Sequence, residues 1–153
     1  MSGAKGDRSI NISFEFSDRR FKLPVGEIKK VLRRLSDDNK VRGDLLIVFS
    51  KDSQMKDLNH RFRGKNKSTD VLAFNLADSV TKRYIEGEVY VNLQIARRRV
   101  YDIGVDYFEE VTRLCLHGFL HLLGYDDKKA RDKKEMWMVQ ENYLKGIIDG
   151  EQG

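Results

Sequence analysis

The sequence predicts an α+β fold in which one mixed β-sheet of about four strands packs with about five helices. Three observations carry that prediction. The chain has 153 residues, 40% hydrophobic and 35% charged, which suits one folded domain over 1–153 with its own core. Its apolar residues switch between alternation and helical spacing along the chain. Read in order, those segments give strand, helix, strand, helix, two strands and three helices, with no internal repeat.

The small, polar residues 1–8 read as a flexible lead-in. Ser9–Phe16 then alternates polar and apolar, the period of a half-buried strand. From Pro24 to Leu35, Val25, Ile28, Val31, Leu32 and Leu35 recur at helical spacing, and Pro24 is acceptable in a first turn. Asp44–Phe49 is short, apolar and partly β-branched, as in a buried strand. Ser50 is the candidate cap of a helix covering Met55, Leu58 and Phe62. The polar loop Gly64–Thr69 leads into strand candidates Asp70–Phe74 and Gly87–Val91, separated by a loop over Asn75–Arg83. Helical spacing returns over Leu93–Ile103, where Gly104 stops it, and is strongest over Tyr107–Leu123. There Phe108, Val111, Leu114, Cys115, Gly118 and Leu122 form the expected core stripe. A last helix is expected from Ala130 to Ile148.

Composition narrows the function classes. No stretch reaches the roughly 18–20 apolar residues of a membrane span, and the start has no apolar run like a signal peptide, so a cytoplasmic protein is expected. Cys115 is the only cysteine; an intrachain disulfide is excluded, and a buried apolar role is expected. Lys and Arg outnumber Asp and Glu by 29 to 24, which makes a polyanionic partner electrostatically reasonable. Arg97-Arg98-Arg99 reads as a solvated helix face.

The chemistry concentrates at His117 and His121. Four residues apart in a helix, their imidazoles project about 40° apart on one face, so two nitrogens can share one ion. They are two of the chain's three histidines, and the run around them is otherwise apolar, so both rings need a partner. His60 reads as a surface residue. Gly124 can take positive φ and turn the chain back, bringing Asp126 or Asp127 beside the pair. Three protein ligands leave a fourth position open, as in catalytic rather than structural zinc. Gly118 stands where the peptidase motif His-Glu-x-x-His has its glutamate, which weakens a peptidase reading.

His117–Asp127 reads His-Gly-Phe-Leu-His-Leu-Leu-Gly-Tyr-Asp-Asp. It resembles the signature of the YbeY family of bacterial rRNA-maturation endoribonucleases, His-Gly-x-Leu-His-Leu-x-Gly-Tyr-Asp-His, at every specified position but the last. Leu58–Arg63 leading to Ser68–Phe74 resembles the family's Leu-Asn-x-x-Phe/Tyr-Arg loop and Thr-Asp-Val-Leu-Ser-Phe, and Gly87–Val91 resembles its Gly-Asp/Glu-Ile-x-Ile strand. The resemblance implies a metal-dependent, single-strand-specific endoribonuclease that matures the 3′ end of 16S rRNA and serves ribosome quality control. RNA in ribosomal subunits would be its partner, with no membrane and no small-molecule organic cofactor.

One zinc ion per chain is expected, held by His117, His121 and Asp127. Asp127 stands where the family has a third histidine, and its charge reduces that of the ion, so harder metals compete better with zinc. Arg63 matches the family's loop arginine and is the candidate catalytic cation, its planar fork suited to phosphate oxygens. Arg61, Lys65 and Lys67 are candidates to track an RNA backbone. Asp126 is a candidate to orient a ligand histidine, Tyr125 to pack the turn, and Asp70 to brace Arg63 or a loop amide. A metal-dependent peptidase, and a non-catalytic RNA-binding module with a structural metal, are the alternatives.

Overall fold

A computed structural model of the chain describes residues 9–77 and 83–152. The lead-in expected over 1–8 and the middle of the Asn75–Arg83 loop therefore lie outside the described residues. Among those described are four strands, β1 (Ile10–Phe16), β2 (Arg42–Ser50), β3 (Val71–Asn75) and β4 (Tyr84–Asn92). Five helices accompany them: α1 (Val25–Asp38), α2 (Asp52–Arg63), α3 (Leu93–Ile103), α4 (Tyr107–Leu122) and α5 (Ala130–Gln152). They follow one another in the expected order. The sheet runs β1-β2-β4-β3, with β1 and β4 parallel to β2 and β3 antiparallel to β4, so it is mixed, as expected for an α+β fold.

Side-chain alternation divides the sheet between two cores. Ile10, Ile12, Leu45, Ile47, Phe49, Val89 and Val91 join the main core with residues of α1, α3, α4 and α5. Leu72 lies in a smaller cluster with Met55 and Leu58 of α2, packed by Phe74 and Tyr90. Strands β2 and β4 begin two and three residues earlier than their apolar runs, at Arg42 and Tyr84. These polar ends are recruited by pairing, because Arg42, Gly43 and Asp44 lie in register with Tyr84, Ile85 and Glu86.

Ser50 does not cap α2. It is the buried last residue of β2, with its hydroxyl 3.4 Å from the Val48 carbonyl. Lys51 takes the cap position without a side-chain cap bond. A tertiary contact replaces the local one: the Asp52 amide donates to Gln94 Oε1 of α3 at 2.6 Å. Asp52 also accepts from Ser68 Oγ and, at 2.9 Å, from Asn92 Nδ2, so the start of α2, the loop before β3 and the start of α3 are tied together.

Helix α4 is buried on more than the expected stripe. Leu116, Phe119 and Leu120 are fully buried beside Val111, Leu114 and Cys115. Asp106 caps it by accepting from the Glu109 amide at 3.0 Å. Gly118 lets it approach the sheet, since a Cβ there would stand 2.4 Å from Val89 Cγ1. This close packing fixes the helix that carries both histidines of the pair. Among the described residues no helix is long and apolar enough to cross a membrane.

Candidate metal centre

His117 and His121 occupy the last two turns of α4, half-buried. After the helix, Gly124 takes φ +98° and Tyr125 donates its amide to the Leu120 carbonyl at 3.0 Å. The chain folds back over the helix end. That turn brings Asp127 Oδ2 within 3.6 Å of both His117 Nε2 and His121 Nε2.

The protonation of each ring follows from its other nitrogen. Gln140 Nε2 donates to Glu141 Oε2 at 3.2 Å, which leaves Gln140 Oε1 facing His117 Nδ1 at 2.8 Å. An amide oxygen only accepts, so His117 Nδ1 carries the proton. The Tyr125 carbonyl, 3.2 Å from His121 Nδ1, imposes the same tautomer. In that tautomer of the neutral imidazole each ring directs an Nε2 lone pair at one point, with the two nitrogens 3.1 Å apart. Two lone pairs so placed repel unless a cation lies between them. Burial first, then the neighbouring His117, hold the His121 imidazole below its ordinary range. Proton competition for its lone pair then sets in only on the acid side of that range.

The donor set fits a divalent metal. Ligand bonds of about 2.0–2.1 Å at tetrahedral angles separate two donors by about 3.3 Å, close to the 3.1 and 3.6 Å observed. His117, His121 and Asp127 form such a group, with all three donor atoms within 4.8 Å of one another. Asp127 rather than Asp126 completes it. The Asp126 side chain accepts from the Lys128 amide at 3.0 Å and makes no hydrogen bond or ion pair to either histidine. Orientation of the rings, expected of Asp126, instead comes from Gln140 and the Tyr125 carbonyl. The Tyr125 side chain, expected to pack the turn, is partly buried against the main core.

Around the centre the basic residues behave differently from one another. Arg63 ends α2, exposed, and its charge is near enough to lower the His121 pKa. Arg61 is tied to Asp57 at 3.1 Å, while Lys65, Lys67 and His60 are exposed. Asp70 does not brace Arg63. It pairs with Arg99 Nη2 at 2.8 Å, and Arg99 is half-buried rather than part of a solvated face. From there charges run inward: Arg99 to Glu110 at 2.7 Å, Glu110 to Arg113 at 2.5 Å, and Arg113 to Glu141 at 2.8 and 3.0 Å. Glu141 holds Gln140, which holds His117, so the ladder reaches the metal centre.

Comparison with known proteins identifies the family. A family model described as Endoribonuclease YbeY matches residues 12–148. The chain belongs to that family. An endoribonuclease YbeY of Persephonella marina is 36% identical over 143 residues, covering 90% of this chain and 92% of that protein. The YbeY endoribonuclease of Acholeplasma laidlawii is 30% identical over 125 residues, covering 82% of this chain and 90% of the relative. The solution structure of a Thermotoga maritima protein superposes with a TM-score of 0.67 at 26% identity, covering 92% of this chain and 91% of that one. YbeY membership thus extends the likeness from Leu58–Asp127 to almost the whole chain.

Gln140 and the Tyr125 carbonyl were not singled out from the sequence. A signal for Gln140 was present: it sits four residues after Met136 and four before Leu144, both buried, so it is a polar side chain within an apolar helical stripe.

Proposed function

We propose that the chain is a cytoplasmic, single-domain endoribonuclease that cleaves single-stranded RNA with a divalent metal, zinc by preference, held by His117, His121 and Asp127. Endoribonuclease action in rRNA maturation goes with YbeY membership, and we place that action at the 3′ end of 16S rRNA in ribosomal subunits. The observation that carries the metal part is the convergence of two bare Nε2 atoms and Asp127 Oδ2. When bound, the metal supplies Lewis-acid polarisation of a phosphoryl oxygen.

The chain's own residues then divide the remaining work. Gln140 and the Tyr125 carbonyl favour the tautomer with the proton on Nδ1, which turns each Nε2 towards the metal. Arg63 binds the scissile phosphate and offsets the negative charge that grows on it during cleavage. Lys65 and Lys67, exposed on the loop that follows Arg63, hold neighbouring phosphates by charge alone, which gives affinity without sequence preference. Neither peptidase nor purely structural roles have an observation of their own here.

The test is cleavage of single-stranded RNA by purified protein of measured metal content. His117→Ala and Arg63→Ala should each lose at least about 100-fold in rate, consistent with loss of one charge-stabilising group, while melting stays cooperative. Cleavage that survives both substitutions would refute the assignment. In cells, loss of the protein should leave 16S rRNA with an unprocessed 3′ end.

A further inference from the structure

We propose that the cleft beside His117 is a subsite for one unpaired RNA base, stacked on Trp137, with the flanking phosphates at Lys133 and Lys134. The inference deepens the ribonuclease reading and rests on it. The cleft, about 780 Å³, is lined by the end of α3, by α4 and by α5, and shares His117 and Asp127 with the metal centre. That volume lies within the about 300–1,000 Å³ typical of small-ligand pockets, room enough for a base with its ribose phosphate.

Its lining alternates in character. Ile103, Val105, Leu114 and Met136 supply apolar surface, and Trp137, the chain's only tryptophan, is 54% exposed at its edge. A tryptophan left half in water beside a cleft gives up apolar burial that the core could have provided. The Arg113 guanidinium lies 5.8 Å from its ring centroid, and Arg113 is itself held by Glu110 and Glu141. The indole thus rests beside a fixed group, and ordering it against a base costs little entropy.

Charge completes the match. Lys133 and Lys134 precede Trp137 by four and three residues, which places all three on one face of α5. Both lysines are exposed, and among the described residues neither has an ion-pair partner. Arg99 and Arg113 of the same cleft are, by contrast, neutralised by Asp70, Glu110 and Glu141. Free positive charge beside an apolar, aromatic surface fits a single strand, whose phosphates and unstacked bases alternate. A duplex keeps its bases stacked away from the indole, and a peptide has no regular negative charge for the lysines.

Trp137 reports on its own site, because no other tryptophan contributes to the fluorescence. Metal-loaded, full-length protein would be titrated with a short single-stranded 2′-O-methyl RNA, with the same strand carrying abasic residues, and with a duplex. The single strand should quench Trp137, and the abasic strand and duplex should not. Trp137→Ala should bind the single strand about ten-fold more weakly by anisotropy, within the range for loss of one stacked base, with metal content unchanged. Trp137→Phe should restore most of the affinity. Replacing both Lys133 and Lys134 by Ala should weaken binding and flatten its salt dependence. Bound RNA without quenching, equal quenching by the abasic strand, or a Trp137→Ala protein that binds like wild type would overturn the subsite. Each of these leaves the ribonuclease reading standing if cleavage persists. Wild-type protein that neither binds nor cleaves RNA would overturn both.

Discussion

Asp127 places a carboxylate where the resemblance to the family implies an imidazole. The geometry accommodates the exchange, because Oδ2 stands at 3.6 Å from both histidine nitrogens. The chemistry is less neutral. A carboxylate lowers the net charge of the bound ion and favours harder metals. Asp127→His should therefore raise preference for zinc over manganese, and Asp127→Ala should weaken zinc binding by more than about 100-fold, beyond the about 10–100-fold typical of losing an outer partner. Competition with a coloured chelator measures both. Gln140 is such an outer partner, buried and hydrogen-bonded to His117 Nδ1. Gln140→Leu keeps the shape but frees the tautomer, so affinity should fall about 10–100-fold with the circular dichroism spectrum unchanged. Zinc binding unaffected in Gln140→Leu would mean that packing alone orients the ring.

Helix α4 and the turn after it convert local sequence into a fixed ligand set. Gly118→Ala would press a methyl group to within 2.4 Å of Val89 Cγ1 and 3.1 Å of Val71 Cγ2. The helix or the sheet must move, at about 1–3 kcal/mol for overpacking, and thermal melting should show a lower Tm. Gly124→Ala meets a different obstacle, the positive φ that lets the chain return towards His121. Its expected cost is about 1–2 kcal/mol, with a loss of metal affinity because Asp127 is carried by that turn. How much of this was legible depends on the range of the interaction. The His117–His121 pair and the turn at Gly124 follow from helix geometry and glycine conformation, both local. Local sequence points to Ser50 as the cap of α2, whereas the Asp52 amide is met by Gln94, 42 residues further along the chain. Gln140 and the Asp70–Arg99 pair were hidden for the same reason, since each depends on how α5 or α3 docks.

Across the whole molecule, two systems tie other elements to α4: the candidate metal centre, which joins it to the turn that follows, and the charge ladder from Asp70, just before β3, through α3 and α4 to Glu141 of α5. Glu110 is the pivot of the ladder, buried and bound to both Arg99 and Arg113. Removing one partner of a fully buried pair costs about 3–5 kcal/mol. Glu110→Ala should cost less, about 2 kcal/mol, because both arginines retain a second carboxylate and are partly exposed to solvent. A metal bound at the proposed centre would add stability by mass action, about 4 kcal/mol at 1,000 times its Kd. A chelator should therefore lower the Tm of wild type and leave that of His117→Ala unchanged. Combining the two perturbations separates their roles. If the ladder only supports the fold, Glu110→Ala lowers the Tm of the metal-free and metal-loaded protein equally. The contacts from Glu110 through Arg113 and Glu141 to Gln140 predict otherwise: loosening Glu110 releases the group that orients His117, so the metal-induced rise in Tm should itself shrink in Glu110→Ala. An unchanged rise would show that the ladder and the metal centre are energetically independent despite their continuous hydrogen bonds.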